Sequence, residues 1–411
     1  MGMPIEETGN GGVETCCVSG EEIGMNSVEL FAGAGGLALG VSQAGFRNKA
    51  VVEWDADACA TIRHNQRRKV PLVRNWKLHQ ADVKSFDFGT IDPDIDLLAA
   101  GVPCQPWSMG GKHRGFEDER NLFPDTIRAV LALRPKAILI ENVKGLTRQS
   151  FANYFTYIQY MLEFPEVLRK PEEEWIDHRT RLERFVASRG KGSRYTGLHY
   201  NIVVKLLNAA DYGVPQRRER VFFVGFRDDI RADWAFPIPT HSQEALVHDK
   251  WGSGNYWDRH QVAAKCRPSR PDGIERKLES PALYQLRPWV TVRDAISGLP
   301  DPESREARSV SNHQLQLGAR SYAGHTGSPL DESAKTVKAG DHGVPGGENM
   351  ISFPDGRVRY FTVREAARIQ TFPDEYEFGS SWSENMRQLG NAVPVSLGRI
   401  VAEAIRRGLR G

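Results

Sequence analysis

Apolar positions in this chain cluster in short runs, separated by glycine turns and stretches of helical spacing. Ser27-Val28-Glu29-Leu30-Phe31 and Ala50-Val51-Val52 have strand patterns, while residues 96–100 and 136–140 are apolar enough for buried strands. Helical patterns run from Leu37 to Ala44 and from Phe123 to Leu133, and Arg134-Pro135 ends the second. Residues 150–162 predict an aromatic-rich helix. Residues 200–207 alternate and are β-branched, 208–215 predict a loop, and 221–226 a further strand. Strands alternating with helices predict a doubly wound α/β sheet.

Elsewhere the pattern fades. Residues 1–25 carry little apolar content and predict a disordered leader. Residues 165–195, with Glu172-Glu173-Glu174 and scattered arginines, predict a charged surface insertion. Residues 233–335 are rich in Pro, Gly, Ser, Arg, His and aromatics, with no long amphipathic helix. They predict a smaller, loop-rich domain inserted between residues 26–232 and 336–411 of a larger one. Gly343 to Asn349 predicts a turn. Thr362, with Glu365 three residues on, predicts a capped helix that Phe372-Pro373 stops. A last helix from about Pro394 should pack back through Leu397, Ile400, Val401 and Ile405, so both chain ends build one domain.

Composition narrows the class. A chain of 411 residues has ample material for one large domain and a smaller one. A formal net charge of +2 is compatible with nucleic acid without demanding it, so any basic surface must come from local clustering. The five cysteines form no even, spaced set. Neither a disulfide framework nor a zinc site is expected, and a reducing interior suits a reactive thiolate. No apolar run nears membrane-spanning length and no signal peptide is visible, so a soluble, cytoplasmic protein is expected.

The chemistry gathers at predicted strand ends. Pro103 biases Val102 away from helix and presents Cys104 just past a buried strand, where open α/β sheets bind ligands. Gln105, Ser108, Lys112, His113 and Arg114 follow, all able to hold an anion. An ordinary core cysteine before a loop fits this stretch equally well. The first strand runs into Ala32-Gly33-Ala34-Gly35-Gly36 and then a helix, a geometry that lets backbone approach a ligand. Glu53 ends the second strand, placed for ribose hydroxyls, with Trp54 beside it to stack on a purine. Asp82 ends a third unit and could accept from an adenine amino group. An adenosyl ligand fits these three ends, and the absence of a P-loop argues against a nucleoside triphosphate. Glu141 closes a fully apolar strand, where desolvation raises a carboxyl pKa. A thiolate adding to C6 of a pyrimidine, with a carboxylic acid at N3, would turn C5 into a nucleophile.

These residues, with others further on, resemble the DNA cytosine-C5 methyltransferases of prokaryotic restriction-modification type. The ordered motifs are Phe31-Ala32-Gly33-Ala34-Gly35-Gly36, Glu53-Trp54-Asp55, Pro103-Cys104-Gln105, Glu141-Asn142-Val143, Gln216-Arg217-Arg218-Glu219-Arg220, Arg364-Glu365-Ala366-Ala367-Arg368 and Gln388-Leu389-Gly390-Asn391-Ala392-Val393. The resemblance implies a Rossmann-like mixed α/β sheet with helices on both faces, plus a target-recognition domain. It makes Cys104 the nucleophile and Glu141 the group at N3, with Arg218 and Arg220 holding the base and its phosphate. S-adenosyl-L-methionine, leaving as S-adenosyl-L-homocysteine, would lie against Phe31, Ala32, Gly33, Gly35, Gly36, Glu53, Trp54, Asp82, Val83, Pro103, Leu122, Asn391 and Ala392, with no metal. Gln105, Ser108, Lys112, Arg114 and Gln216 would face double-stranded DNA, whose target base is flipped out. Several relatives carry a hydroxyl residue where Ala392 stands, which removes one possible hydrogen bond to the cofactor.

Base-reading candidates in the recognition segment are Asn255, Arg259, Arg267, Arg270, Arg287, Asn312, Gln314 and Arg320, most of them expected to touch phosphate or plain solvent. Two other readings compete. A tRNA-methylating branch carries a Cys-Phe-Thr tripeptide, which is absent here. A DNA-binding regulator with a spent site should have lost Cys104, Glu141 or Arg218, and all three are present. The lack of long regulatory extensions suggests a bacterial, archaeal or phage origin with a separate restriction endonuclease as partner, by family analogy alone, and a monomer is expected.

Overall fold

The computed structural model describes residues 24–103, 121–189, 195–274, 278, 285–340 and 349–411. The expectations for the leader and for most of the Gly343–Asn349 turn lie outside the described residues. The strands β1 (Met25–Leu30), β2 (Phe46–Glu53), β3 (Leu78–Gln80), β4 (Leu97–Gly101), β5 (Ala137–Val143), β6 (Tyr200–Asn208) and β7 (Glu219–Arg227) form one sheet. Their order is β3-β2-β1-β4-β5-β7-β6. β7 runs antiparallel to both β5 and β6, and the pairings among β1 to β5 are parallel. This is the Rossmann-like mixed sheet that the strand patterns and the resemblance imply.

β4 and β5 read as continuous apolar runs because both faces of the sheet are covered. Leu98, Ala100, Ile138 and Ile140 face one core, with Phe123 and Ile127 of α3 (Phe123–Leu133) and Tyr157 and Ile158 of α4 (Ala152–Glu163). Leu97, Ala99, Ala137 and Leu139 face the other, with Leu37 and Val41 of α1 (Gly36–Gln43) and Leu397, Val401 and Ile405 of the C-terminal helix Val395–Arg410. Each buried Leu, Ile, Val or Phe among them stabilises the fold by about 1.5–3 kcal/mol. α3 stops where Arg134 turns left-handed (φ 44°) before Pro135.

Glycines set how closely the chain ends meet. A Cβ on Gly40 of α1 would stand 2.5 Å from Val395 O and 2.6 Å from Arg399 N of the C-terminal helix. Only glycine lets the two backbones approach so far. A further core joins Ala32, Ala38, Val51 and Ile62 to Val337, Phe361, Ala367, Leu389 and Val395. The helix Val363–Ile369 starts with the expected capping box between Thr362 and Glu365.

The segment 233–335 is loop-rich, as its composition predicts. Among its described residues the longest helix is Gln243–Trp251, and a small cluster of Leu246, Tyr256 and Trp257 supplies a local core. Trp289 ties it to the loop after β6, its Nε1 donating to Asp211 Oδ1 at 3.0 Å. Within residues 165–195, residues 175–189 form a helix, α5 (Trp175–Arg189), docked on α4. Leu182 is fully buried and His178 nearly so. Among the described residues, no helix is long and apolar enough to cross a membrane.

Candidate active site at the carboxyl edge of the sheet

Strand register lines up the predicted strand-end residues along one edge. Glu53 pairs with Gln80, Leu30 with both Val52 and Ala100, and Gly101 with Glu141. Phe31 therefore stands between Glu53 and Gly101, and Asp82 lies two residues beyond Gln80. β7 runs the other way, so Arg220 near its start meets Val143 at the same edge.

Glu141 is buried at this edge. Burial pushes its carboxyl above the usual range, and the Arg220 and then the Arg218 charges oppose that shift without cancelling it. Arg220 Nε stands 2.9 Å from Glu141 Oε1. A Cβ on Gly101 would lie 3.7 Å from Glu141 Oε2, so the glycine leaves space in front of the acid. Asn142, a motif residue whose task the sequence leaves open, donates from Nδ2 to Val102 O at 3.2 Å. It thereby fixes the backbone just before Pro103, which is exposed. Cys104, Gln105, Ser108, Lys112, His113 and Arg114 lie outside the described residues.

The cofactor-side candidates share the opposite half of the edge. Phe31 follows β1 in the left-handed region (φ 57°), a costly conformation for a bulky residue, and Gly35 makes the turn into α1 at φ 86°. Tyr376 Oη donates to Ala34 O at 2.6 Å and holds that turn in place. Glu53 Oε2 accepts from Gly33 N at 2.7 Å, and Oε1 accepts from Trp54 N and Asp55 N at 2.9 and 2.8 Å. Burial still raises the Glu53 pKa, ahead of these N–H groups, which lower it. Trp54 is 73% exposed, leaving its ring open to stack. A Cβ on Gly33 would meet nothing within 4 Å, and Asp82 is exposed. A fixed carboxylate, a bare indole and open space at a glycine turn fit a nucleoside with ribose hydroxyls and a flat base. Ala32, Gly36, Val83 and Ala392 are buried, Leu122 is partly so, and Asn391 is exposed at a helix end.

Two of the predicted contact residues are buried. Gln216 is fully buried, its Nε2 donating to Gln370 Oε1 at 2.9 Å and its Oε1 accepting from Val337 N at 2.9 Å. Both ends of the amide are used inside the protein, so Gln216 is not presented to DNA. Arg218 is 1% exposed and donates to Val337 O at 3.0 Å and Gly390 O at 2.6 Å. It cross-links distant parts of the chain, and its charge lowers the Glu141 pKa.

The structure also sorts the base-reading candidates. Arg259 pairs with Asp249 and Asp294, and Arg267 with Asp258. The Asn312 amide is bonded at both ends to the Phe378 backbone. Asn255, Arg270, Arg287, Gln314 and Arg320 are exposed. The sequence motifs do not point to Arg387, which joins Asp55, the N-cap of α2 (Ala56–Arg67), to Glu384. Glu384 and Arg387 stand three residues apart on one helix, but no spacing signal links either to Asp55.

A family model described as C-5 cytosine-specific DNA methylase matches residues 25–165 and 193–407. The type II methyltransferase M.PspPI of Psychrobacter sp. is 33% identical over 93% of this chain and 79% of its own length. M.NgoMIV of Neisseria gonorrhoeae is 30% identical over 94% of this chain and 98% of its own. Among solved structures, a protein described as a DNA modification methyltransferase encoded within an Escherichia coli prophage matches with a TM-score of 0.57. Its identity is 22%, over 94% of this chain and all of the other.

Proposed function

The chain belongs to the C-5 cytosine-specific DNA methylase family, and from that membership we propose a mechanism for its activity and a role for each part of it. The protein is a DNA cytosine methyltransferase. Residues 26–232 and 336–411 act as the catalytic domain, and 233–335 as the target-recognition domain. The target cytosine leaves the duplex so that C5 and C6 become reachable. The Cys104 thiolate adds to C6. Glu141, as a neutral acid, hydrogen-bonds N3 and draws electron density through the ring. C5 becomes nucleophilic and takes the methyl group, then loses its proton to a base. The C5–C6 double bond re-forms as the thiolate leaves.

The observation that carries this reading is the Glu141 carboxyl, buried and raised in pKa, next to the strand that leads to Cys104. A neutral acid there can donate where an ionised one could only accept. Arg220 is the group next to it that would hold the base and its phosphate. Asn142 sets the approach of the chain to the cysteine. Gly33, Glu53, Trp54 and Asp82 would hold S-adenosyl-L-methionine, which supplies the electrophilic methyl group when bound. The type II relatives support a place in a restriction-modification system, with a separate endonuclease reading the same sequence.

The test is incubation of unmethylated genomic DNA with the protein and S-adenosyl-L-methionine, followed by base-resolution bisulfite sequencing. Protected cytosines confined to one short motif are expected. Cys104→Ser should protect none while still binding DNA. Full protection by that variant, or protection scattered without a motif, would sink the proposal.

A further inference from the structure

The family match breaks between residues 165 and 193, and the helix α5 lies inside that gap. Trp175, His178, Leu182 and Phe185 recur at spacings of three and four, which places them on one helical face. Trp175 meets Tyr154 and Tyr157 near the start of α4, and Phe185 meets Phe164 just past its end. The two helices therefore run side by side in the same direction. His178 fixes the pair, bonding Tyr157 Oη through Nδ1 at 2.7 Å and Val167 O through Nε2 at 2.7 Å.

A chain of contacts leads from this added helix to the start of α3. The Trp175 ring stands edge-on to Tyr154, with centroids 5.6 Å apart and planes at 82°. The Tyr154 hydroxyl donates to Asn121 Oδ1 at 2.9 Å, a buried bond. The same Oδ1 accepts from Phe123 N at 3.3 Å, at the start of α3. Asn121 is where the described chain resumes after residues 104–120, and it precedes Leu122. Tyr154 itself is 2% exposed, and its ring also contacts Phe123. The added segment thus ends against a side chain that anchors the return of the chain from Cys104.

We propose that Trp175 is a positioning residue for cytosine methylation, acting through Tyr154 to fix Asn121 and Leu122, the residues that lead into α3. The inference rests on the mechanism proposed above. Errors of about 1 Å in placing a reacting group cost about a hundredfold in rate, so a partial loosening should cost less. A helix that served only the fold would change stability but not the rate per active molecule.

The experiment measures covalent trapping on duplex DNA in which every cytosine is replaced by 5-fluorocytosine. That base cannot lose a proton from C5, so the Cys104 adduct accumulates and its endpoint counts active enzyme. Wild type, Trp175→Ala, Trp175→Phe, Tyr154→Phe and the Trp175→Ala/Tyr154→Phe double variant are compared with S-adenosyl-L-methionine saturating. Normalised to the endpoint, Trp175→Ala and Tyr154→Phe should each trap about tenfold more slowly, with DNA affinity within about twofold. Trp175→Phe should recover most of the rate. The double variant should be no slower than the slower single one, because both act along one path. Normalised rates unchanged in Trp175→Ala, or additive losses, would overturn the inference. Failure of wild type to trap would instead overturn the mechanism on which it rests.

Discussion

Arg220 Nε lies 2.9 Å from Glu141 Oε1, across the antiparallel pairing of β5 and β7. Burial raises the pKa of this carboxyl, and the Arg220 guanidinium is the largest opposing influence. The acid is therefore held between two tendencies, and one of its neighbours sets the balance. That makes the pair testable by pH.

If the neutral form of Glu141 carries the reaction, kcat/KM falls as pH rises through its pKa. Arg220→Gln removes the main influence that lowers that pKa. The falling limb should move to higher pH, with a lower maximum because Arg220 also serves the substrate. A pH profile of kcat/KM checks this, and a limb that stays put or moves to lower pH would contradict it. Glu141→Gln keeps a donor at N3 but cannot gain or lose a proton, and should slow turnover by roughly 10²–10⁴-fold.

Gln216→Ala separates a strut from a DNA contact. It leaves the Val337 N–H and the Gln370 amide without their buried partner. A loss of about 1–3 kcal/mol in unfolding free energy is expected. The folded fraction should bind DNA as wild type does. Fluorescence anisotropy with labelled duplex, without denaturant and well below the melting point, measures this. A tenfold weaker Kd with unchanged stability would restore the DNA-contact reading.

Gly40→Ala tests the approach of the two chain ends. In an open helix the change stabilises by roughly 1 kcal/mol. Here the new methyl would press on backbone atoms of residues 395–399, which cannot swing aside. Destabilisation of about 1–3 kcal/mol is expected instead, read from denaturant midpoints. Stabilisation would mean that the helices separate easily.

Glu29 supplies a second pH test. Its carboxylate oxygens are buried in the middle of β1 with no hydrogen-bond partner among the described residues, and burial raises its pKa well above the ordinary 4.5. The folded state therefore holds a proton that the unfolded chain releases. The stability linked to that proton is complete below about pH 4.5 and is lost as pH rises through the folded pKa. Glu29→Gln should remove this loss, so its urea midpoint should gain on wild type as pH rises from 5 to 9. A gap that stays constant across that range would show that Glu29 does not titrate.

Much of the catalytic core is legible in the amino-acid order. Residues 97–100 and 137–140 have to be apolar because strands covered on both faces touch no water. The Thr362–Glu365 box is legible because its partners lie three residues apart. α5 is harder to see. Its charged residues dominate the composition, and the stripe through Trp175, His178, Leu182 and Phe185 shows only when positions are counted at helical spacing.

What the sequence determined by itself was the order of elements, the strand ends and the residue types offered there, because these depend on dihedral preference and burial period over a few neighbouring residues. It could not determine which way Gln216 and Arg218 turn. Arg218 bonds carbonyls 119 and 172 residues further along the chain. A guanidinium in a basic motif looks the same on paper whether its partner is a phosphate or a distant carbonyl. Only the return of the C-terminal segment onto the sheet supplies those carbonyls and excludes water, and with them it fixes whether each arginine faces substrate or holds the fold together.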